Sequence, residues 1–408
     1  MKRLLIRGAL TALLLAPALP LVAEEVEEEI TLAEAVTKGK PILTFRYRYE
    51  NVDEDDRFDK PAHASTLRTT IGYRSLAWKG LSFLVEAENV TVIGNDLYNN
   101  IGHGSLNNGV TDRPVVADPA LTDINQAYLQ WQNSANKLQL GREEIIIGDA
   151  RFVGNVGWRQ HHQSFDALTF ANSSLERVDI FYSYMSKVNR INGSVFDMSS
   201  NVLNVGFKLG NVGKLSLYTY LLDYSQSQNY GLSTSTWGAE FAGKYAVTDN
   251  TSVLYEIEYA QQGDYADNPN SVDVPYYFLM AGGAFKPLTV KLGYEVLGGS
   301  ATDGQFSTPL ATLHKFNGWA DRFLRTPVDG LQDLYLQLNG KFGPMGWTVV
   351  YHSFGAETGG ANYGDEFDFN LGYTAPWKQS FGFKGAFYNA DEFSVDVSKI
   401  WLWTSFKI

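Results

Sequence analysis

Residues 42–50, ILTFRYRYE, alternate strictly: Leu43, Phe45, Tyr47 and Tyr49 fall on one side of an extended chain, and Thr44, Arg46, Arg48 and Glu50 on the other. A period of two marks a strand with two unlike faces. One face here is apolar and the other carries both signs of charge. Working outward, the same pattern returns in Leu67, Thr69, Ile71 and Tyr73 against Arg68 and Arg74, and in Phe83, Val85 and Ala87 against Glu86 and Glu88. Val178, Ile180, Tyr182 and Tyr184 line another apolar face, and Val205 and Phe207 alternate with Asn204 and Lys208. Trp237, Ala239, Phe241 and Tyr245 oppose Glu240 and Lys244; Val253, Tyr255, Ile257 and Tyr259 oppose Glu256 and Glu258. Val290, Leu292, Tyr294 and Val296 oppose Lys291 and Glu295, and Phe367, Phe369 and Leu371 oppose Glu366, Asp368 and Asn370. Long helical periodicity is absent beyond the N-terminus.

The connections alternate too. Tight turns read at 78–80, 133–136, 172–176, 211–213, 248–250, 286–288, 343–345 and 375–379, where Gly, Pro, Asn or Asp recur. Longer polar loops read at 52–64, 93–119, 148–163, 187–200, 262–275 and 298–330. The expected fold is all-β: a transmembrane antiparallel β-barrel of about 18 strands with short periplasmic turns and long extracellular loops. Strands of roughly ten residues suit a tilted crossing of the bilayer. A soluble sandwich or propeller also alternates, with its charged face toward water. Three features favour the membrane. Aromatic residues sit near strand ends on the apolar faces, the opposite faces carry both charges as a wet lumen would, and the final segment 399–408, KIWLWTSFKI, is one more strand that runs to the chain's end. Its face of Ile400, Leu402, Thr404, Phe406 and Ile408 suits a closing strand, although it ends in Ile instead of an aromatic residue.

Composition narrows the rest. The 408 residues include 38 Gly, 24 Phe, 23 Tyr and 9 Trp but no Cys, which excludes a disulfide scaffold and a thiolate metal site. A net charge of −12 argues against a nucleic-acid partner, because counterion release needs a basic face. Lys2, Arg3 and Arg7 precede an apolar run from Gly8 to Val22 broken by Pro17 and Pro20, and Ala23 ends a small-residue cleavage site. The expected organisation is a signal peptide over 1–23, an acidic periplasmic segment over 24–40 with a short helical stretch at Leu32–Val36, and the barrel over 41–408.

Three segments carry a family likeness: TLAEAVTKGKPILTFRYRYE (31–50), LGREEIIIGDARFVGNVGWRQHHQSFDAL (140–168) and HKFNGWADRFLRTPVDGLQDLYL (314–336). In that order they resemble the alginate-export family of outer-membrane barrels, over nearly the whole chain beyond the signal peptide. The resemblance implies one 18-stranded barrel in the cell outer membrane that works as a passive channel, in founding members for an anionic uronate polymer. Its implied surroundings are outer-membrane lipid and lipopolysaccharide, with a barrel-assembly machinery during biogenesis. The cargo class is a hydrophilic solute, an anionic polysaccharide among the candidates. Two other readings stay open: an uptake porin for small organic acids or sugars, and a closed structural or adhesion barrel.

On the charged faces the candidate pore-lining residues are Arg46, Arg48, Arg68, Arg74, Glu86, Glu88, Lys208, Glu240, Lys244, Glu256, Glu258 and Lys291, with Lys384, Glu50, Glu295, Glu366 and Asp368 also facing that way. Arginines there attract carboxylates and pair bidentately where geometry allows. The two signs nearly balance, which departs from a strongly basic exporter lumen. A loop constriction is expected from Arg151, Trp158 and Arg159 in one long loop and Trp319, Arg322 and Arg325 in another, since loops this rich in aromatics and arginine are poor solvated tips. Covalent chemistry finds little support. His162 and Ser164 have a spacing compatible with an outer-membrane phospholipase, but no second matching pair accompanies them. His161 and His162 lack a third His or a Cys to complete a metal set, and Asp53–Asp56 lacks the glycine and distal Glu of an EF-hand. No cofactor is indicated.

Overall fold

The computed structural model describes residues 30–408; the expected signal peptide and Glu24–Glu29 lie outside the described residues. A single helix, α1 (Leu32–Thr37), precedes the barrel, closed by a capping box between Thr31 and Glu34. The first half of the wall is β1 (Lys40–Glu54), β2 (Ala62–Arg74), β3 (Leu81–Val92), β4 (Leu121–Gln132), β5 (Asn136–Glu143), β6 (Ser164–Leu175), β7 (Val178–Asn189), β8 (Val195–Lys208) and β9 (Lys214–Leu222). The second half is β10 (Thr234–Thr248), β11 (Thr251–Asp264), β12 (Asp273–Phe285), β13 (Leu288–Leu297), β16 (Leu331–Phe342), β17 (Met345–Gly355), β18 (Asn362–Thr374), β19 (Ser380–Ala390) and β20 (Val397–Lys407). Two short strands, β14 (Gly299–Ser300) and β15 (Gly304–Gln305), form a separate hairpin within the last long loop.

Every wall strand pairs antiparallel with its chain neighbours, and β1 pairs with both β2 and β20, so the 18-stranded sheet closes on itself. Closure removes the open edge that would otherwise leave backbone groups unpaired in lipid. Arg46 stands opposite Arg68 on one side and Ser405 on the other, which puts the even positions of β1 and β2 and the odd positions of β20 on the inner face. The outer face presents Ile71, Leu129, Leu140, Trp237, Ile257, Leu292 and Leu402, all about half exposed or more. An apolar surface of this extent is a lipid face.

The turns between β2 and β3, β4 and β5, and so on around one end are short, as the sequence predicts. At Gly213 the β8–β9 turn takes φ 137° beside β10, and a Cβ there would run into the Ala242 carbonyl. At the other end, three expected loops contract. β7 continues to Asn189 and β8 begins at Val195, so only 190–194 remains of the loop read at 187–200. Likewise 52–64 reduces to 55–61, and 262–275 to 265–272. In each case the ladder continues past the apolar band: Val188 pairs with Phe196, and Val188 and Met198 are buried. A polar stretch in sequence is thus a strand beyond the bilayer, not a loop. A further connection, 223–233, carries a short helical turn over Ser227–Leu232 and is not among the loops read from the sequence.

The aromatics also divide differently from the expectation that they face lipid. Trp401, Tyr98, Tyr276, Phe306 and Phe354 are buried inside the barrel. Two inserted loops supply the surfaces they pack against.

Candidate functional site

β5 is only eight residues long, and its last residue, Glu143, is buried. The chain then leaves the wall and crosses the lumen. Arg151 reaches the far side, where its Nε lies 2.6 Å from Glu295 Oε1 on β13, and Phe152 packs against Tyr218, Tyr220, Tyr276 and Phe306. Returning, the backbone passes beneath β1 and β2. The Arg46 guanidinium donates to the Trp158 carbonyl at 2.9 Å and the Gly157 carbonyl at 3.2 Å, and Arg48 donates to Trp158 as well. Arg159 pairs with Glu50 at 3.1 Å and Asp321 at 3.3 Å, and Gln160 Nε2 donates to Thr66 Oγ1 at 2.9 Å. His162 Nδ1 sits 2.7 Å from Glu88, which Arg68 approaches at 3.6 Å.

The second insertion comes from 306–325. It joins the first through the Val153–Leu310 bridge, the Gly154 amide donating to Leu310 O at 2.9 Å, and Gln163 Nε2 donating to the carbonyls of both Gly154 and Leu310 at 3.0 Å. The wall then holds it by carboxylates. Asn317 Nδ2 donates to Glu295 at 2.7 Å, the Trp319 amide to Asp368 at 3.2 Å, and the Ala320 amide to Glu366 at 2.7 Å. Asp321 accepts from Lys399 at 2.7 Å, and Arg322 pairs with Glu54 at 3.1 Å. Phe323 fills a pocket of Phe354, Tyr363, Tyr388 and Phe393. Between the loops, the Lys384 ammonium lies 3.6 Å from the Trp319 ring centre and 4.3 Å from that of Trp158, within 2.8 Å of His314 Nε2. The two loops are therefore one body clamped to both walls.

Charges this deep must be paired, because desolvating a lone ion costs far more than an ion pair recovers. The loops supply the pairing. Asp118, from the 93–120 connection, meets Arg48 and accepts from the Gln160 amide at 2.8 Å. Burial opposes its ionisation, but the charges of Arg48 and Arg159 outweigh that and hold its carboxyl below the usual carboxylate range. Arg46 differs. Its partners are carbonyls and the Trp158 face at 5.4 Å, and among the described residues no carboxylate lies within 4 Å of it.

The lumen is filled at mid-height and open below it. Gln139, Ser183, Val202, Gln262, Asp333 and Glu366 are all buried, on strands spaced around the whole wall. Toward the short-turn end the inner residues are exposed or half-exposed, and between 146–148 and the β4–β9 wall lies a cavity of about 380 Å³ lined by Lys137, Asp179, Asn204 and Lys214.

The alginate-export family profile matches residues 42–291. The chain belongs to the alginate-export family. Among solved structures this family member is similar to Pseudomonas aeruginosa OpdK with vanillate, at 14% identity and TM-score 0.71 over 91% of this chain and 98% of that one. Acinetobacter baumannii OccAB4 is similar at 13% identity and TM-score 0.71, over 90% and 97% of the two chains. Pseudomonas aeruginosa OccK9 (OpdG) gives 13% and 0.71 over 92% and 99%. No curated protein matches in sequence. This alginate-export barrel is an outer-membrane channel, not an enzyme.

Within the alginate-export barrel, the candidate residues of the sequence fall into three groups. Arg46, Arg48, Arg68, Glu88 and Glu258 face the inserted loops at mid-height, with Arg151, Trp158, Arg159 and Trp319 opposite them. Glu86, Glu240, Glu256 and Lys291 are half-exposed, and Arg74, Lys208 and Lys244 are exposed, nearer the short-turn end. The third group needs correction. Arg325 is exposed and makes no ion pair among the described residues, because the chain turns outward once Phe323 is anchored. Arg322 holds the outer end of β1 through Glu54, above the constriction. Sequence reasoning missed Asp118, Lys399, Asp333 and Trp401. Lys399 and Trp401 carry a usable signal, the alternate face of the last strand; Asp118 sits in an irregular loop and carries none.

Proposed function

We propose that this outer-membrane channel passes small hydrophilic anions, with the size and charge of a single uronate or an aromatic carboxylate, by passive diffusion along the wall of β1, β2, β19 and β20. The observation that carries the reading is Arg46: a guanidinium at the constriction that meets carbonyls and a tryptophan face, with no carboxylate within 4 Å among the described residues. Arg68 and Lys384 stand beside it on the same wall. A fixed cation at a narrow point favours carboxylates and disfavours cations. OpdK, similar in fold, was solved with vanillate, itself a carboxylate. The tight filling at mid-height favours monomer-sized solutes over a polymer strand. Proteoliposome swelling tests this: glucuronate should enter several-fold faster than glucose, and equal or reversed rates would reject the anionic reading.

A second reading rests on that same filling. Buried inner residues around the whole circumference suit a barrel that is closed at rest and conducts when the loop body shifts. Liposomes impermeable to both sugars would favour it. In either reading lipopolysaccharide borders the outer rim, and the barrel-assembly machinery receives the terminal strand.

A further inference from the structure

Below the loop body, the cavity of about 380 Å³ between 146–148 and the β4–β9 wall joins a basic side to an apolar one. Register sets the basic side. Lys137 stands opposite Ala171 of β6 and two residues from buried Gln139, and Lys214 stands two residues from buried Ser216, so both point inward. Lys214 lies along the wall over Gly206 of β8, where a Cβ would come within 2.2 Å of Lys214 Cε. Asp179, the carboxylate that lines the same cavity, is taken by Lys208 at 2.8 Å. Asp149, next to Gly148, is taken by Lys315 at 3.2 Å. Among the described residues neither Lys137 nor Lys214 has a carboxylate within 4 Å.

The apolar side comes from the first inserted loop and from β7. Ile145 and Ile147 are buried, whereas Ile146 between them is 54% exposed and lines the cavity. The loop is fixed in that pose: the Ile147 amide donates to the Val153 carbonyl at 3.1 Å, the Ala150 amide donates to the Ile147 carbonyl at 3.0 Å, and Gly148 turns the chain at φ 58°. From the wall, Phe181 lines the same cavity, opposite Ala171 and Asn204 and two residues from buried Ser183. An isoleucine and a phenyl ring turned toward a wet lumen leave apolar surface in water, which an amphipathic solute would cover. Apolar walls with a few placed polar groups, at this volume, are the usual make-up of a small-molecule site.

We propose that this cavity binds a small monocarboxylate with an apolar ring face, its carboxylate on Lys137 and Lys214, its ring against Ile146 and Phe181, and a ring substituent against the Asn204 amide. The site is separate from the Arg46 constriction, on a different wall and nearer the periplasm. Its part in transport rests on the anionic reading above, since a carboxylate that crosses the constriction passes it; the binding itself does not depend on that reading.

A fluorine NMR titration of 4-fluorobenzoate against the full chain in lipid nanodiscs tests the site. Saturable binding is expected. Lys137→Gln with Lys214→Gln should weaken it about tenfold, and Ile146→Ser about threefold. Lys244→Gln removes an exposed cation of the same mouth outside the cavity and should leave it unchanged. On the unaltered protein, raising KCl from about 0.05 to about 0.5 M should weaken binding several-fold, a readout that does not depend on any variant folding. Absence of saturable binding, binding indifferent to salt, to the two lysines or to Ile146→Ser, or an equal loss in Lys244→Gln, would overturn the proposal. Swelling rates that reject the anionic reading would leave a positive titration standing, and a failed titration would leave the Arg46 reading standing.

Discussion

The two halves of the lumen are built from the same alternating strands and hold opposite contents. In the outer half, Arg48, Arg159, Lys399, Glu50, Asp118 and Asp321 are buried and paired with one another across loop and wall. In the inner half, Arg74, Lys208, Lys214 and Lys244 are exposed to the mouth, and only Lys208 has a described carboxylate partner. The strands do not create this difference. The inserted loops do, by bringing carboxylates and aromatics to one half and leaving the other wet. The lesson is that charge on a barrel's inner face describes a pore only where no loop has neutralised it.

Removing the loop body should break the contrast most completely. Deleting 310–326 takes away His314, Trp319, Asp321 and Phe323, and single-channel conductance should rise by several-fold, on the order of a change from a narrow to an open lumen. Unchanged conductance would mean that the loops are not the constriction. Next in size, Asp118→Asn leaves Arg48 and Arg159 buried with less counter-charge, a loss of about 3–5 kcal/mol when one partner of a buried pair is removed. Denaturant unfolding in detergent should show the loss, and Asp112→Asn, an exposed pair with Lys60, should show almost none.

Acid sharpens the comparison further. Burial raises the carboxyl pKa of Asp321, but His314, Lys399 and Arg159 outweigh it and hold the group well below its ordinary value, as Arg48 and Arg159 do for Asp118. A depressed carboxyl stabilises the fold above its unfolded pKa, and that contribution is lost as pH falls through the folded value. The stability these two carboxylates contribute should therefore persist at pH 5 and be lost only below roughly pH 4, the ordinary carboxylate range, as denaturant unfolding of the parent and of Asp118→Asn across that window would show. A stability difference between the parent and Asp118→Asn that already vanishes near pH 6 would contradict the assignment of Asp118 as a clamp. The smallest effect belongs to the inner half: Lys244→Gln, one exposed charge among several, should move the reversal potential by only a few millivolts at low salt and not at all at high salt.

Much of this was legible in the sequence, and the boundary is physical. Period-two alternation gives the face of every residue within a strand, so Arg46, Arg48, Arg68 and Glu258 are inward on pattern alone. The mixed charge of those faces, with apolar outer faces, distinguishes a barrel from a sandwich. Pattern fails where no period exists. Asp118 lies in a 28-residue connection, 93–120, and nothing local marks it as the partner of Arg48, seventy residues earlier. Composition, by contrast, fails where both faces are aromatic, and only the alternation separates them. In the last strand Trp401 and Trp403 point inward while Leu402 and Phe406 face lipid, and composition treats all four alike. Boundaries shift for a related reason: between Lys187 and Ser200 the sequence is polar because the strands stand in water, not because they end.

The reversal potential of the unmodified channel in a salt gradient tests the central claim most directly. With Arg46 at the constriction lacking a carboxylate within 4 Å among the described residues and lysines at the inner mouth, a tenfold KCl gradient should give an anion-selective potential, and Arg46→Gln should reduce it. A cation-selective potential, or one unmoved by Arg46→Gln, would contradict the account.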